Sequence, residues 1–319
     1  MWWDSGIDPA DPPPPGERVR SPRALLPLLS VCGAAAVVTA AGAGAAIDGL
    51  SGGGPAHADG ERGTPAVTIQ AVTWNVCGEA APGCPLGARP AELARRIVQQ
   101  AASTEVGGRR VRPNAVFLQE VCAGQVQTLK KAGRLAKWSW AFAPFTRGPA
   151  CADGQGRPGV AVGTDAALTG VRQVRLPSPV RLGRVALCGD VAAWGTRICT
   201  TQLSSPAWDE DPRGEWRRKQ ARALASLAGT GGRVVVGGDL AAGPESPAFD
   251  VLYRDYSECD QGPGPARTGA KTVQDWRGAA VEKNDYLFLS KSAGVSCGVP
   301  AAPVRASDHR PLSAVINFR

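Results

Sequence analysis

Ser307-Asp308-His309-Arg310-Pro311 stands ten residues from the C-terminus, just before an apolar run, Leu312 to Phe318, that reads as a strand. The chain has two histidines, and the other, His57, lies beside a small-x-small stretch, Ala56-His57-Ala58, of the kind cut after export. Cleavage there leaves one imidazole in the mature protein. Chemistry that needs a group titrating near neutral pH therefore has one candidate, His309, with Asp308 as the neighbour expected to orient it.

The 319 residues suffice for one large domain, and 43% hydrophobic against 20% charged residues is a globular balance. Net charge is +8, and residues 1–58 hold three Arg and five acids, so the remainder carries +10. Such a domain favours phosphate-bearing partners, whether nucleic acid, phospholipid head groups or small phosphodiesters, although an Arg-rich composition raises the pI without any partner. Beyond Cys32, eight cysteines are scattered with no paired Cys-x-x-Cys. They read as up to four disulfides in an exported protein. Only Cys188 and Cys199 suggest a pairing, because they flank a hairpin turn at Trp194-Gly195.

Residues 1–23 form a polar, Pro-rich N-terminus expected to be disordered. Arg18, Arg20 and Arg23 precede an uncharged stretch, Ala24 to Ile47, so residues 24–58 read as a signal peptide or membrane anchor. Either way the main domain lies outside the cytoplasm, secreted or surface-exposed. Residues 59–66 are a linker, and 67–319 form the domain. There strands are expected at Val67–Val76, Ala115–Val121, Gly159–Gly163, Arg233–Gly238, Asp285–Ser290 and Leu312–Phe318, with a hairpin over Val185–Leu203. Helices are expected at Pro90–Gln100, Gln125–Trp138 and Arg213–Ala228, with a short one starting at Ser246-Pro247. The mixture predicts an α/β fold with mixed sheets.

Polar residues recur at strand ends: Asn75, Glu120, Asp239, Asp285 and Asp308. A polar residue inside a strand buried on both faces is costly, so these belong at a rim, where strands distant in sequence share a cleft. Converging carboxylates repel unless a cation neutralises them, and all-oxygen ligands suit Mg²⁺, Mn²⁺ or Ca²⁺ rather than zinc. A hard cation, a carboxylate base and an imidazole suit hydrolysis of a phosphate ester.

Thr73-Trp74-Asn75-Val76, Leu118-Gln119-Glu120-Val121, Gly238-Asp239, Asn284-Asp285-Tyr286-Leu287-Phe288 and Ser307-Asp308-His309-Arg310-Pro311 together resemble the signature blocks of the endonuclease/exonuclease/phosphatase superfamily, the deoxyribonuclease-I-like group. The resemblance spans residues 67–319 and implies a four-layer α/β sandwich, two packed mixed β-sheets flanked by helices. It also implies a metal-dependent phosphodiesterase or nuclease acting as a monomer. By that likeness Glu120 is the principal Mg²⁺ ligand, with Asp308 beside the metal. Asn75 holds phosphate or the metal shell, Asp239 activates water, Asp285 supports the site, and His309, oriented by Asp308, contacts the scissile phosphate. Two positions depart from the pattern. Gln202 stands in Thr201-Gln202-Leu203 where the family has a histidine, and Ala241 stands in Gly238-Asp239-Leu240-Ala241 where it has an asparagine. Glutamine donates a hydrogen bond but carries no proton at neutral pH. The expectation is an enzyme with reduced turnover, or a relative that binds a phosphorylated ligand or nucleic acid without cleaving it. The substrate-reading loops are expected near residues 140–158 and 255–280, with Trp276, Arg267 and Lys271 available to touch phosphate or base.

Overall fold

A computed structural model describes residues 65–319 apart from 80–83, 180–181 and 263–265. The expected N-terminal tail, signal or anchor segment and most of the linker lie outside the described residues. Along the chain, β1 (Val67–Asn75) leads to α1 (Pro90–Ala102), the small hairpin of β2 (Thr104–Val106) and β3 (Arg109–Val111), then β4 (Ala115–Cys122), α2 (Ala123–Leu129), β5 (Ser139–Pro144) and β6 (Pro158–Thr164). Next come β7 (Thr169–Arg175), β8 (Val185–Val191), β9 (Thr196–Gln202), α3 (Glu215–Ala228), β10 (Arg233–Asp239) and α4 (Asp250–Asp255). The chain closes with β11 (Ser257–Glu258), a hairpin of β12 (Val273–Gln274) and β13 (Ala280–Glu282), then β14 (Asp285–Leu289), β15 (Gly294–Gly298) and β16 (Leu312–Phe318).

Two six-stranded sheets result, ordered β15-β16-β1-β4-β6-β5 and β11-β14-β10-β9-β8-β7. Each is mixed, because β1 runs parallel to β4 and β10 parallel to β9 while the other neighbours are antiparallel. Alternation along each strand builds the layers. In β4, Phe117 joins Ile69 and Val162 against Leu187, Val235 and Leu287 between the sheets. Its neighbour Leu118 turns the other way, with Trp74, against Leu93, Ile97 and Leu129 of α1 and α2. Val236 and Phe288 do the same for the second sheet, meeting Leu224 of α3 and Leu252 of α4. The result is the helix-sheet-sheet-helix sandwich. Phe117 is fully buried at its centre, and truncating such a side chain costs about 3–5 kcal/mol.

The eight interior strands of the two large sheets lie where the sequence predicts them, whereas the four edges, β5, β7, β11 and β15, fall outside the expected strands. Edge strands lack the two covered faces that make interior ones read as apolar runs, and every residue of β7 is exposed. A second difference concerns the helix expected over Gln125–Trp138. It breaks after Leu129, and a short 3₁₀ turn covers Gly133–Lys137. Gly133 takes a left-handed φ of 49°, which ends the helical path. Leu135 is thereby buried, while Gly133 and Ala136 are exposed.

The eight cysteines form four pairs, Cys77–Cys84, Cys122–Cys151, Cys188–Cys199 and Cys259–Cys297, with Cα separations of 5.2, 6.2, 4.1 and 6.0 Å. Cys188 and Cys199 are register partners across β8 and β9, as the hairpin requires. Gly195 closes that hairpin in a left-handed conformation, φ 56°. Such cross-linking suits an oxidising, extracytoplasmic compartment. Among the described residues no helix is long and apolar enough to cross a membrane.

Candidate active site

The two parallel strand pairs, β1/β4 and β9/β10, bring four strand ends to one rim. Asn75 and Gln119 are register partners, as are Asp239 and Gln202, and Asp239 also faces Asp285 across β14. Glu120 would follow Gln119 out of this row in a regular strand. A bulge between Gln119 and Val121, with Glu120 at φ 54°, re-aims its side chain.

These residues meet in one hydrogen-bonded cluster. Asn75 Nδ2 donates to Glu120 Oε1 at 2.9 Å and to Asp239 Oδ2 at 3.0 Å. Gln202 Nε2 donates to the same two oxygens, at 2.6 and 3.1 Å. The Gln202 amide is oriented from behind, because its Oε1 accepts from Arg184 Nη1 at 2.8 Å. Arg184 is in turn held by Asp209 Oδ2 at 2.7 Å, and both are buried. Asp239 Oδ1 accepts from the backbone N–H of Ala241 at 3.0 Å, so only the backbone of residue 241 serves the carboxylate.

His309 lies beside this cluster, buried, with Nδ1 at 2.7 Å from Asp285 Oδ2. This differs from the expectation that Asp308 orients it. Successive side chains of extended backbone point to opposite sides. The Asp308 carboxylate instead takes a 3.4 Å contact from Ser307 Oγ, and the residue is exposed. Ser307 fixes the loop: its hydroxyl donates to the Asn75 carbonyl and accepts from the His309 N–H. Trp74 Nε1 holds the His309 carbonyl at 2.9 Å.

Burial pulls the His309 pKa down, but the charge and hydrogen bond of Asp285, helped by Asp239 and Asp308, hold it well above the ordinary 6.5. Burial pushes Asp239 up to about 6, opposed by His309 and helped by Asp285 and Glu120. Asp308 is raised as well: its carboxyl loses solvent although the residue is exposed overall, and Glu120 adds to the rise. Glu79, in the turn after β1, is pushed up to about 7 by burial and then by Glu120, with Arg184 pulling the other way. Glu79 and Arg184 belong to the site and carry no sequence signal, since both sit in turns outside any motif block.

Glu120 thus raises three neighbouring carboxyls, and one buried oxygen, Asp285 Oδ1, has no hydrogen-bond partner. An all-oxygen set short of positive charge fits a hard divalent cation. Of the loop residues, Arg267 is occupied, paired with Asp250 at 2.8 Å and stacked over Tyr253. Trp276 is exposed, with Arg277 over its ring, and residues 140–144 belong to β5 rather than to a loop.

The profile of the Endonuclease/Exonuclease/phosphatase family matches residues 72–309, from β1 to the histidine. The chain belongs to that family. It is a phosphoric ester hydrolase family whose members typically use divalent metals. Comparison with curated protein sequences finds no match. Among solved structures, the chain is similar to the human Nocturnin catalytic domain with bound sulfate, at 19% identity and a TM-score of 0.58 over 80% of this chain and 97% of that one. It is also similar to a 3′ phosphatase from Neisseria bound to a product DNA hairpin, at 17% identity and a TM-score of 0.53 over 77% and 98%. A mannosyl-6-phosphatase from Bacteroides thetaiotaomicron gives 15% identity and a TM-score of 0.53 over 78% and 99%. At these identities the likeness is one of fold, and family membership rests on the sequence profile.

Proposed function

We propose that this chain is an exported, divalent-metal-dependent phosphodiesterase whose site has been pared down on one side. The observation that carries the reading is the Asp285–His309 pair standing beside the Asn75–Glu120–Asp239 cluster. Glu120 and Asp308 would hold Mg²⁺, Mn²⁺ or Ca²⁺. A bound divalent ion supplies Lewis-acid polarisation of the phosphoryl group. Asp285 occupies Nδ1 of His309 and leaves Nε2 for a phosphoryl oxygen, with the raised pKa keeping the ring charged as negative charge develops. Asp239 orients the attacking water and takes its proton, and Asn75 braces it against Glu120.

A second reading, binding of a phosphorylated ligand or nucleic acid without turnover, is favoured by Gln202 and Ala241. Gln202 Nε2 is committed to two carboxylates and has no proton to give. The two readings part on one experiment. Wild type and His309→Ala are assayed on plasmid DNA, RNA, sphingomyelin and a chromogenic phosphodiester, each with Mg²⁺, Mn²⁺ or Ca²⁺ and with chelator. Chelator-sensitive turnover lost in the variant supports the enzyme. Equal inertness on all four ends that reading, and salt-dependent binding without turnover then supports the second.

A further inference from the structure

The positive charge of the domain is concentrated in one layer. Between Arg89 and Lys137 the sequence holds ten basic residues against three acids, Glu92, Glu105 and Glu120, and Glu120 belongs to the site. This segment supplies α1, β2, β3, α2 and the 3₁₀ turn, which form the outer covering of the first sheet. Arg95, Arg109, Arg110, Lys130, Lys131 and Lys137 are all exposed. Arg89 and Arg96 share Glu92. Arg134 staples the layer together, donating to the carbonyls of Ala101 at 3.1 Å and Pro113 at 2.9 Å.

We propose that this layer docks the domain on an anionic lipid surface, with the active site turned away from the bilayer. Three observations select that partner. First, Arg134 and its neighbour Arg112 sit where β4 begins, whereas Glu120 lies near its exit, five residues or roughly 17 Å away. Polyanion held there would not lie across the catalytic rim, as a nucleic-acid substrate must. Second, among the described residues the exposed large apolar side chains are Val171, Val174, Trp208, Trp276 and Val281, and none lies in the basic segment. The layer offers charge without a ring on which bases could stack. Third, β1 runs parallel to β4, so Val67 enters at the same end as Arg112 and Arg134. Upstream of Val67 is the uncharged stretch from Ala24 to Ile47, expected from the sequence to be a signal or anchor, so the domain meets a membrane on export. Lys and Arg near an anionic surface each add about fivefold to its affinity, and the attraction fades with salt.

The strands, the three cores and the four disulfides described above lie beyond residue 65, so the domain from Asp59 onward is tested alone, without the apolar stretch. Co-sedimentation with vesicles of phosphatidylcholine, and of phosphatidylcholine with about one-third phosphatidylglycerol, should show binding only to the anionic set, abolished by raising salt to about 0.5 M. A variant with Arg109, Arg110, Lys130 and Lys131 changed to Ala should lose about 600-fold in affinity. It should keep its melting temperature and its activity on a soluble phosphodiester. A control with Arg172, Arg175, Arg213 and Arg222 changed to Ala removes the same charge elsewhere and should bind nearly as wild type. Equal binding to both vesicle types, equal loss in the control, or displacement of the vesicles by an equal phosphate concentration of duplex DNA would each overturn the assignment.

Discussion

The two halves of the candidate site are built on opposite plans. On one side Asp285 and His309 form a pair that can hold and release a proton. On the other, Gln202, which the sequence resemblance sets where a histidine is expected, is locked by Arg184, itself locked by Asp209. The first half carries the imidazole and is held by the Ser307 loop and Trp74. The second carries no imidazole and rests on a buried ion pair. The glutamine is braced firmly, because its amide is aimed at Glu120 and Asp239. A side chain without a titrating proton can thus still be built into the site by its neighbours.

The sharpest way to break the contrast is on the histidine side. If its proton chemistry drives turnover, His309→Ala should lower kcat about 10³-fold. Asp285→Asn should shift the pH profile of kcat even at saturating metal, since only Asp285 touches the ring, whereas Asp308→Asn should mainly raise the metal concentration needed for half-maximal rate. A shifted pH profile with an unchanged metal requirement in Asp308→Asn would restore Asp308 as the orienting group.

On the glutamine side the largest effect is structural. Arg184→Met strands the buried Asp209 carboxylate and should destabilise folding by about 3–5 kcal/mol, read from denaturant unfolding. A loss below about 1 kcal/mol would mean that the brace is ornamental. Next is a repair: Gln202→His with Ala241→Asn should raise kcat about 10²-fold if the missing groups limit the rate. Residue 241 sits at φ 54°, a conformation asparagine tolerates better than alanine, so Ala241→Asn on its own should not cost stability. An unchanged kcat would place the limitation outside this half.

The smallest effect lies at the sheet edge on the histidine side, where β11 pairs with β14. Burial pushes Glu258 from an ordinary value near 4.5 up to about 8, although Lys283 lies 3.4 Å away and pulls it down. A carboxyl raised in the folded state keeps a proton that the unfolded chain releases, so folding is penalised increasingly between about pH 4.5 and pH 8. Glu258→Gln should match wild type below pH 4.5 and gain stability steadily from there to pH 8, read from denaturant unfolding at each pH. A constant difference across that range would assign the effect to packing instead.

What the sequence made legible follows from what fixes each residue. Asn75, Glu120, Asp239 and Asp285 end or begin interior strands, and those strands are apolar on both faces, so their rims stand out. Arg184 lies just before β8 outside any motif, and its role exists only because Gln202 and Asp209 fold around it. The choice between Asp285 and Asp308 could not be made from adjacency along the chain, since the histidine's partner comes from another strand. The edge strands escaped because one side of each meets solvent and the apolar run never forms.

Glu120 holds its place at a bulge with a left-handed backbone, and Cys77 and Ala241 nearby share that conformation. Three of the five such non-glycine residues described therefore crowd around one cleft. Glycine would sit there with less resistance. Breeding this protein for heat tolerance alone would consequently pull Glu120 and Ala241 toward glycine, with Cys77 kept by its bond to Cys84, and the sturdier descendants would lack the carboxylate proposed to hold the metal.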